Sequence, residues 1–259
     1  MPAATTYREY APGPALAGAV ECFWSSKAPP PPAPSSHRVL PDGCMDILFD
    51  FRAEARPPVT IVGTMSRALV VETAGATDLF GIRFRAGALP ALLGLDAALL
   101  RDGSAEPGCF GDRLARLHWE RLAAADPERR PALVREWLRP VPADPLVAWC
   151  LARIEAAGGA LAIASLEAGS GACARRIERS FARHVGIGPK LFARVARFRR
   201  LVAAAASGEP RWAELAAACD YADQPHMVRE FRAFAGVSPT GYFAARAVGF
   251  VQDGGDAAA

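Results

Sequence analysis

The feature that most constrains this chain is a phrase that occurs twice: an aromatic residue, Gly five positions later and Pro three beyond that. The copies are Phe181, Gly186 and Pro189, then Phe231, Gly236 and Pro239. Around each copy the sequence repeats the same grammar of short helix, tight turn and second helix, an internal repeat of roughly fifty residues. In the second copy Trp212, Leu215, Ala216 and Cys219 recur at helical spacing, and a turn follows through Asp220 to Asp223. Asp223 is a natural N-cap, Pro225 is tolerated in a first helical turn, and Met227, Phe231 and Phe234 form one apolar face. Gly236 ends that helix and Ser238-Pro239 opens another. The first copy predicts a short helix on Ile163 and Leu166, a turn at Gly169-Ser170-Gly171, and a helix from Ala172 to Val185 whose inward positions are Ile177, Phe181 and Val185. Between the copies, Leu191, Val195, Phe198 and Val202 lie on one face of a helix from Pro189 to Ala206, long enough to hold both units at a fixed separation.

Charge is distributed unevenly around this repeat. Residues 1–145 hold 16 basic and 17 acidic side chains, whereas residues 146–259 hold 14 and 10. From Arg175 to Arg200 nine basic residues face the single acid Glu178, the footprint of a phosphate-facing surface. A solvated helix face would look the same in isolation, but here the run coincides with the second helix of a repeat unit and its continuation.

Two such units in tandem, each ending in Gly-x-x-Pro and joined by an amphipathic helix, resemble the DNA-binding domain of the AraC/XylS family of bacterial transcription regulators over about the last hundred residues. The resemblance implies unit one at about 161–186, a linker helix at about 189–206 and unit two at about 211–243. In it, each second helix lies in the major groove with its N-terminal side chains on base edges. Carried onto this sequence, the family motif puts Arg175, Glu178 and Arg179 on the groove side of unit one, with Arg176 and Arg183 toward phosphates. Gln224, Pro225, His226 and Arg229 take the corresponding face of unit two. Arg pairs bidentately with guanine, Gln with adenine, and Glu accepts from cytosine N4. The sequence departs from the family at three places: Glu167 where a small Ala usually packs, Cys173 where Ser usually caps, and Asp220 for the usual turn Gly. The first two place the packing of unit one in question; Asp tolerates positive φ better than most residues.

The first half reads differently. The run PPPPAPSS from Pro29 cannot join a sheet ladder and is expected to be an exposed, extended loop. HRVLPDGCMDILFDF follows as two strands around a Pro41-Asp42-Gly43 turn, then strands at Val59 to Gly63, Ala68 to Thr73 and Leu79 to Phe84. Helices are expected at Ala88 to Leu95, Gly111 to Ala125, Pro131 to Leu138 and Leu146 to Ala157, with a linker marked by Pro140, Pro142 and Pro145. The fold class is therefore α+β. Residues 1–140 are expected to form a β-barrel or sandwich with a helical appendage, serving effector sensing or dimerisation, and residues 141–259 an all-α DNA-binding domain. The phrases Pro-Asp-Gly-Cys-x-Asp (41–46) and Gly-x-Arg-Phe-x-Ala-Gly (81–87) resemble an uncharacterised sensor domain found on a subgroup of AraC-type regulators, in which position 86 would be Pro. The analogy with other sensors of that family implies a cupin-like barrel.

No catalytic constellation is legible. A metal-dependent cupin needs clustered histidines and a carboxylate, yet only His37 and His118 lie in this half, isolated from each other, so no metal or cofactor is expected. Cys44 between Asp42 and Asp46 is a poor nucleophile, because neighbouring carboxylates raise a thiol's pKa. Arg83 and Arg85 share one side of a strand; facing inward they need Asp42, Asp46 or an acidic ligand, and facing outward they are surface charge. Trp24, Asp42, Cys44, Asp46 and Arg83 are thus the candidate effector-binding residues. Six scattered cysteines argue against a zinc module, a disulfide scaffold or a four-cysteine alkyl-acceptor site. The start of the sequence has no apolar signal-type region and no stretch suits a membrane span, so the expectation is a soluble, cytoplasmic protein. The expected partners are duplex DNA, through two adjacent major-groove segments per monomer, and a small-molecule effector; RNA polymerase and a second copy of the chain are further candidates. The competing reading is a cupin-type enzyme with an accessory DNA-binding module.

Overall fold

Alternation of apolar and polar residues builds the first half, in a computed structural model that describes residues 6–52, 58–108, 119–208 and 210–248. Its strands are β1 (Thr6–Tyr10), β2 (Val20–Ala28), β3 (Ser35–Val39), β4 (Met45–Asp50), β5 (Val59–Val62), β6 (Leu69–Thr73), β7 (Thr77–Phe84) and β8 (Ser104–Ala105). Six of them form an antiparallel sheet in the order β1-β2-β7-β4-β5-β8, while β3 and β6 pair separately. Across the large sheet Phe23 faces Ile82, Ile82 faces Ile47 and Ile47 faces Ile61, all fully buried on one face. That row carries the N-terminal core, because cross-strand apolar pairs on a covered face are what stabilise a sheet. The two strands expected around the Pro41-Asp42-Gly43 turn do form, but they belong to different sheets. Gly43 sits at φ +82, and a Cβ there would come 2.7 Å from the ring of Phe192 in the other half, so the turn presses on its neighbour where only Gly fits.

Helices α1 (Ala88–Leu93), α2 (Trp119–Ala123) and α3 (Arg130–Trp137) follow, with a 3₁₀ turn at Ala97–Leu100, and Leu89, Leu122 and Val134 pack into the same core. Residues 109–118, with Cys109, His118 and most of the helix expected at Gly111 to Ala125, lie outside the described residues. The second half is entirely helical: α4 (Pro145–Ala156), α5 (Ile163–Ser170), α6 (Ala174–Val185), α7 (Pro189–Ala206), α8 (Trp212–Ala218), α9 (Gln224–Ala235) and α10 (Pro239–Val248). One apolar cluster runs through both repeats, with Phe198 of α7 packed against Phe231 and Phe234 of α9 at ring separations of 5.2 and 5.1 Å. The architecture is an N-terminal β-sheet domain followed by a helical C-terminal domain, as the α+β reading expects. Helix α5 runs through Gly169 and Ser170, where the sequence predicts a turn. Trp149 of α4 lies so close that a Cβ at Gly169 would meet it at 2.6 Å, so that Gly admits a packed indole, and the chain breaks at Gly171 (φ +68).

The two halves touch along both repeats. Thr64 Oγ1 donates to the carbonyl of Val185 at the end of α6 (2.6 Å), and Ala68 N–H donates to the carbonyl of Phe234 near the end of α9 (2.6 Å). The short segment between β5 and β6 thus satisfies a carbonyl that each helix end leaves free. Arg199 of α7 donates to the Asp42 carbonyl at 3.2 Å and pairs with Glu21 at 3.4 Å. Leu40 and Ala86 of the first half pack on the C-terminal core, and Ala86 is the position where the sensor-domain phrase would carry Pro.

Candidate nucleic-acid interface

Unit one is α5, the turn at Gly171 and α6. Cys173 takes the N-cap position of α6 in extended conformation, but its thiol caps nothing. Glu167, reaching from α5, accepts the Ala174 N–H at 2.6 Å instead. The two departures from the family pattern therefore compensate: a longer acid supplies the oxygen that Ser would have offered, and it places negative charge at the positive end of the helix. Glu167→Ala is expected to destabilise α6 by about 1 kcal/mol. Faster amide exchange confined to the first turn of α6 is the check, and unchanged exchange there would contradict the capping role.

Ile177, Phe181 and Val185 are buried, so the rest of α6 faces outward. Arg175, Arg176, Glu178, Arg179 and Arg183 are all exposed. None of these four arginines has an acidic partner among the described residues. The Glu178 carboxylate leans toward Gly188, whose Cβ would lie 2.6 Å from its Oε2. In unit two the Asp223 carboxylate accepts the His226 N–H at 2.6 Å, the N-cap expected from sequence. Gln224, Pro225 and Arg229 are exposed, and Arg229 also lacks an acidic partner among the described residues. His226 is half-buried, its ring edge-on to Tyr221 at 5.5 Å. Asp220 adopts φ +57, the left-handed conformation its turn requires.

The basic run from Arg175 to Arg200 splits in two. On α7, Arg194 and Arg197 both engage Glu230 (2.8 and 2.9 Å), Arg199 engages Glu21, and Arg200 engages Asp220. Arg194, Arg197 and Arg200 tie the helical domain together, and Arg199 ties it to the N-terminal half. Among the described residues the arginines of α6 have no acidic partner, which is the state expected of side chains kept for an external anion. Glu230 is the residue that sequence reasoning missed. It is 5% exposed on the inner side of α9, and burial alone would raise its carboxyl, but Arg194 and Arg197 outweigh that and hold it below the usual carboxylate range. The signal was present: an acid interrupts the apolar face Met227, Phe231 and Phe234, and the linker helix before it carries four arginines.

The N-terminal candidates converge on the sheet face opposite the core. Arg83 is 5% exposed and lies 3.5 Å from Asp42 and 3.4 Å from Asp46. These are ion pairs, and Arg83 Nε itself has no hydrogen-bond partner among the described residues. Trp24 Nε1 donates to Asp46 at 3.1 Å, and the Cys44 N–H donates to the Asp42 carboxylate at 2.8 Å. Burial lifts the Asp46 carboxyl above its ordinary range, with Arg83 opposing. For Arg83 burial pulls down, yet Asp46 and Asp42 leave it well above the ordinary guanidinium value. Burial, more than the adjacent carboxylates, pushes the Cys44 thiol well up, and the same cause lifts Cys22 to about 12, so neither is a thiolate near neutrality. Arg85 follows the strand, is exposed, and pairs with Glu21. The inward and outward readings of the two arginines are thus each realised once. Among the described residues no group of three His, Cys, Asp or Glu side chains could hold a metal ion, and no helix is long and apolar enough to cross a membrane.

Comparison with known proteins agrees with this division. Residues 169–245 match the model of a helix-turn-helix domain, and residues 8–106 match a domain of unknown function, DUF6597. No curated protein matches the chain. Among solved structures, an apo lysine-to-alanine variant of ToxT from Vibrio cholerae strain SCE256 is similar at TM-score 0.46 and 9% identity, over 86% of this chain and 97% of that one. ToxT from Vibrio cholerae O395 is similar at TM-score 0.41 and 9% identity, over 82% and 96%. The chain therefore joins an N-terminal segment that matches a domain of unknown function to a C-terminal segment that matches a helix-turn-helix domain, a match that implies DNA binding.

Proposed function

We propose that the protein is a sequence-specific transcription regulator of the AraC type, in which α6 and α9 enter adjacent major-groove segments of one duplex. The observation that carries this reading is the division of the arginines. Whereas α7 spends its guanidinium groups on acids within the protein, Arg175, Arg176, Arg179 and Arg183 of α6 and Arg229 of α9 are exposed and have no acidic partner among the described residues. Arg175, Glu178 and Arg179 are assigned to base edges in unit one, and Gln224 and Arg229 to base edges in unit two. Arg176 and Arg183 are assigned to phosphates and His226 to the backbone beside them.

The N-terminal domain, in this reading, senses a small molecule and passes its state to the DNA-binding half. Trp24, Asp46 and Arg83 of the sheet, with Asp42 and Cys44 of the turn before β4, form the part that adjoins α7 through Asp42 and Arg199. The segment from Thr64 to Ala68 reaches the ends of both recognition helices. An effector acting through these contacts must bind the two regulatory states with different affinity, so DNA must change effector affinity by the same factor that effector changes DNA affinity.

The experiment is a binding titration on cognate and random duplexes in rising salt. With two to three phosphate contacts, as assigned, affinity should fall roughly 10- to 50-fold between 50 and 200 mM salt, whereas flat dependence would contradict the interface. Arg179→Ala is expected to cost ~1–3 kcal/mol on the cognate site and relax preference at one base position. Arg183→Ala is expected to weaken all sequences about equally and to shallow the salt slope by about one. Equal behaviour of the two variants on cognate and random DNA would overturn the assigned roles.

A further inference from the structure

Between the two repeat units the helical domain opens a cleft of about 710 Å³, lined by α7, the start of α9 and the chain from α4 into α5. The loop after α4 lies directly on α7, where a Cβ at Gly159 would fall 2.1 Å from the Ala193 carbonyl oxygen. Three cations line the cleft, Lys190, Arg194 and Arg197, against the one carboxylate of Glu230, a surplus of two positive charges with His226 neutral. The acids of the adjoining segments are placed elsewhere. Glu167 and Asp223 cap α6 and α9, Asp220 pairs with Arg200, and Glu178 leans toward Gly188. Lys190 is exposed and has no acidic partner among the described residues. Arg194 engages Glu230 through Nε at 2.8 Å, and its side chain is still 39% exposed.

The cleft lies on the side of α7 turned away from the N-terminal half. Phe192 adjoins Gly43, and Arg199 bonds Asp42. At about 100° per residue, Lys190, Arg194 and Arg197 stand roughly opposite those two around the helix. The N-terminal half also holds the last turns of α6 and α9, so their first turns, which carry the assigned base contacts, lie away from it. Two major-groove segments on one face of a duplex have a minor groove and its two phosphate strands between them. Helix α7 spans the two units, so a duplex read by both lays those strands over the cleft.

We infer that the cleft seats the sugar-phosphate backbone between the two major-groove segments, with Lys190 and the outer edge of the Arg194 guanidinium as its phosphate ligands. An ammonium and a guanidinium edge suit phosphate oxygens, and the surplus charge of the cleft is matched by a strand that carries one negative charge per nucleotide. Glu230 acts as a positioning residue, since it holds Arg194 at the cleft. The inference rests on α6 and α9 being groove helices and adds a contact that carries no sequence information but fixes the phase between the two readings.

The test uses the full chain and a duplex selected from a random pool, with single phosphates replaced by uncharged methylphosphonates between the two protected segments. Neutralising the central phosphate that faces the cleft should weaken the wild type about fivefold. Lys190→Gln, at an exposed position, should weaken all duplexes by a similar factor with the melting profile retained, and should reduce the salt slope by about one. Lys190→Arg keeps the charge and should bind as the wild type does. The central methylphosphonate should cost Lys190→Gln little, because the contact is already gone. Two protected segments with no sensitive phosphate between them, or equal losses in wild type and Lys190→Gln, would overturn the inference and leave the groove reading standing. A pool without any enriched duplex would overturn both.

Discussion

Arg83→Met is expected to destabilise the N-terminal domain by about 3–5 kcal/mol, since it leaves two largely buried carboxylates with no counter-charge. The side chains of Arg83, Asp42 and Asp46 are 7%, 19% and 14% exposed, so water can compensate little of the loss. Domains are stable by only about 5–15 kcal/mol, so such a change takes a large share of the total. The pH dependence follows from Asp46, whose carboxyl is raised by burial even with Arg83 beside it. A carboxyl raised in the folded state carries a penalty that is absent below its unfolded pKa and complete above its folded one. Removing Arg83 enlarges that penalty. The deficit of the variant should therefore be greatest near neutrality and shrink as the solution is acidified into the carboxylate range. Urea unfolding followed through its first transition, at neutral and acid pH, reads this directly. Adding Asp42→Asn and Asp46→Asn should restore much of the loss, and an unchanged urea midpoint in Arg83→Met would contradict the ion cluster.

Glu230→Ala should cost a similar amount, about 3–5 kcal/mol, in the helical domain. Glu230 is the shared acceptor that draws Arg194 and Arg197 of α7 onto α9, and its side chain is 4% exposed. Without it the Arg197 guanidinium, stacked 4.5 Å from the Tyr221 ring centre, stays half-buried with no acidic partner. The sign of the pH dependence is opposite to that of Arg83. Because the folded Glu230 carboxyl is held low, its stabilisation is present above the unfolded pKa and lost as pH falls through the folded value. Wild type and variant should differ most at neutral pH and converge in strong acid. The loss should also reach function, because α9 takes its placement against α7 from this contact. DNA affinity should fall even though Glu230 is turned away from solvent, and a variant with wild-type melting and wild-type DNA affinity would remove the contact from the account.

Local signals made much of this fold readable. Helix α7 runs from Pro189 to Ala206 as its apolar spacing and starting Pro predict, and Asp223 caps α9 as its position before Gln224-Pro225 predicts. Five of the eight described strands, β3 to β7, are those the sequence predicts, with the alternation of Met45, Ile47 and Phe49 on one covered sheet face the plainest case. Strand β1 was not legible because Thr6–Tyr10 is a polar, largely uncovered edge, and β8 is too short for any period. The pairing of β3 with β6 depends on contacts some thirty residues apart that no local pattern encodes. The same limit applies to the interface. Spacing gave the outward face of α6, but which arginines of the run are spent internally depends on Glu21, Asp220 and Glu230, each brought in by tertiary structure. Glu167 reads as a misfit in its own helix and becomes a cap only once α5 and α6 are packed.

The central claim is that one chain reads two major-groove segments of the same duplex through α6 and α9, held apart by α7. Selection of bound duplexes from a random pool, followed by hydroxyl-radical footprinting of the winner, tests it most directly. The account predicts an enriched site with two protected segments on one DNA face, about 10 bp apart, for each bound monomer. A single short protected segment per monomer, or a pool from which no duplex is enriched, would contradict it.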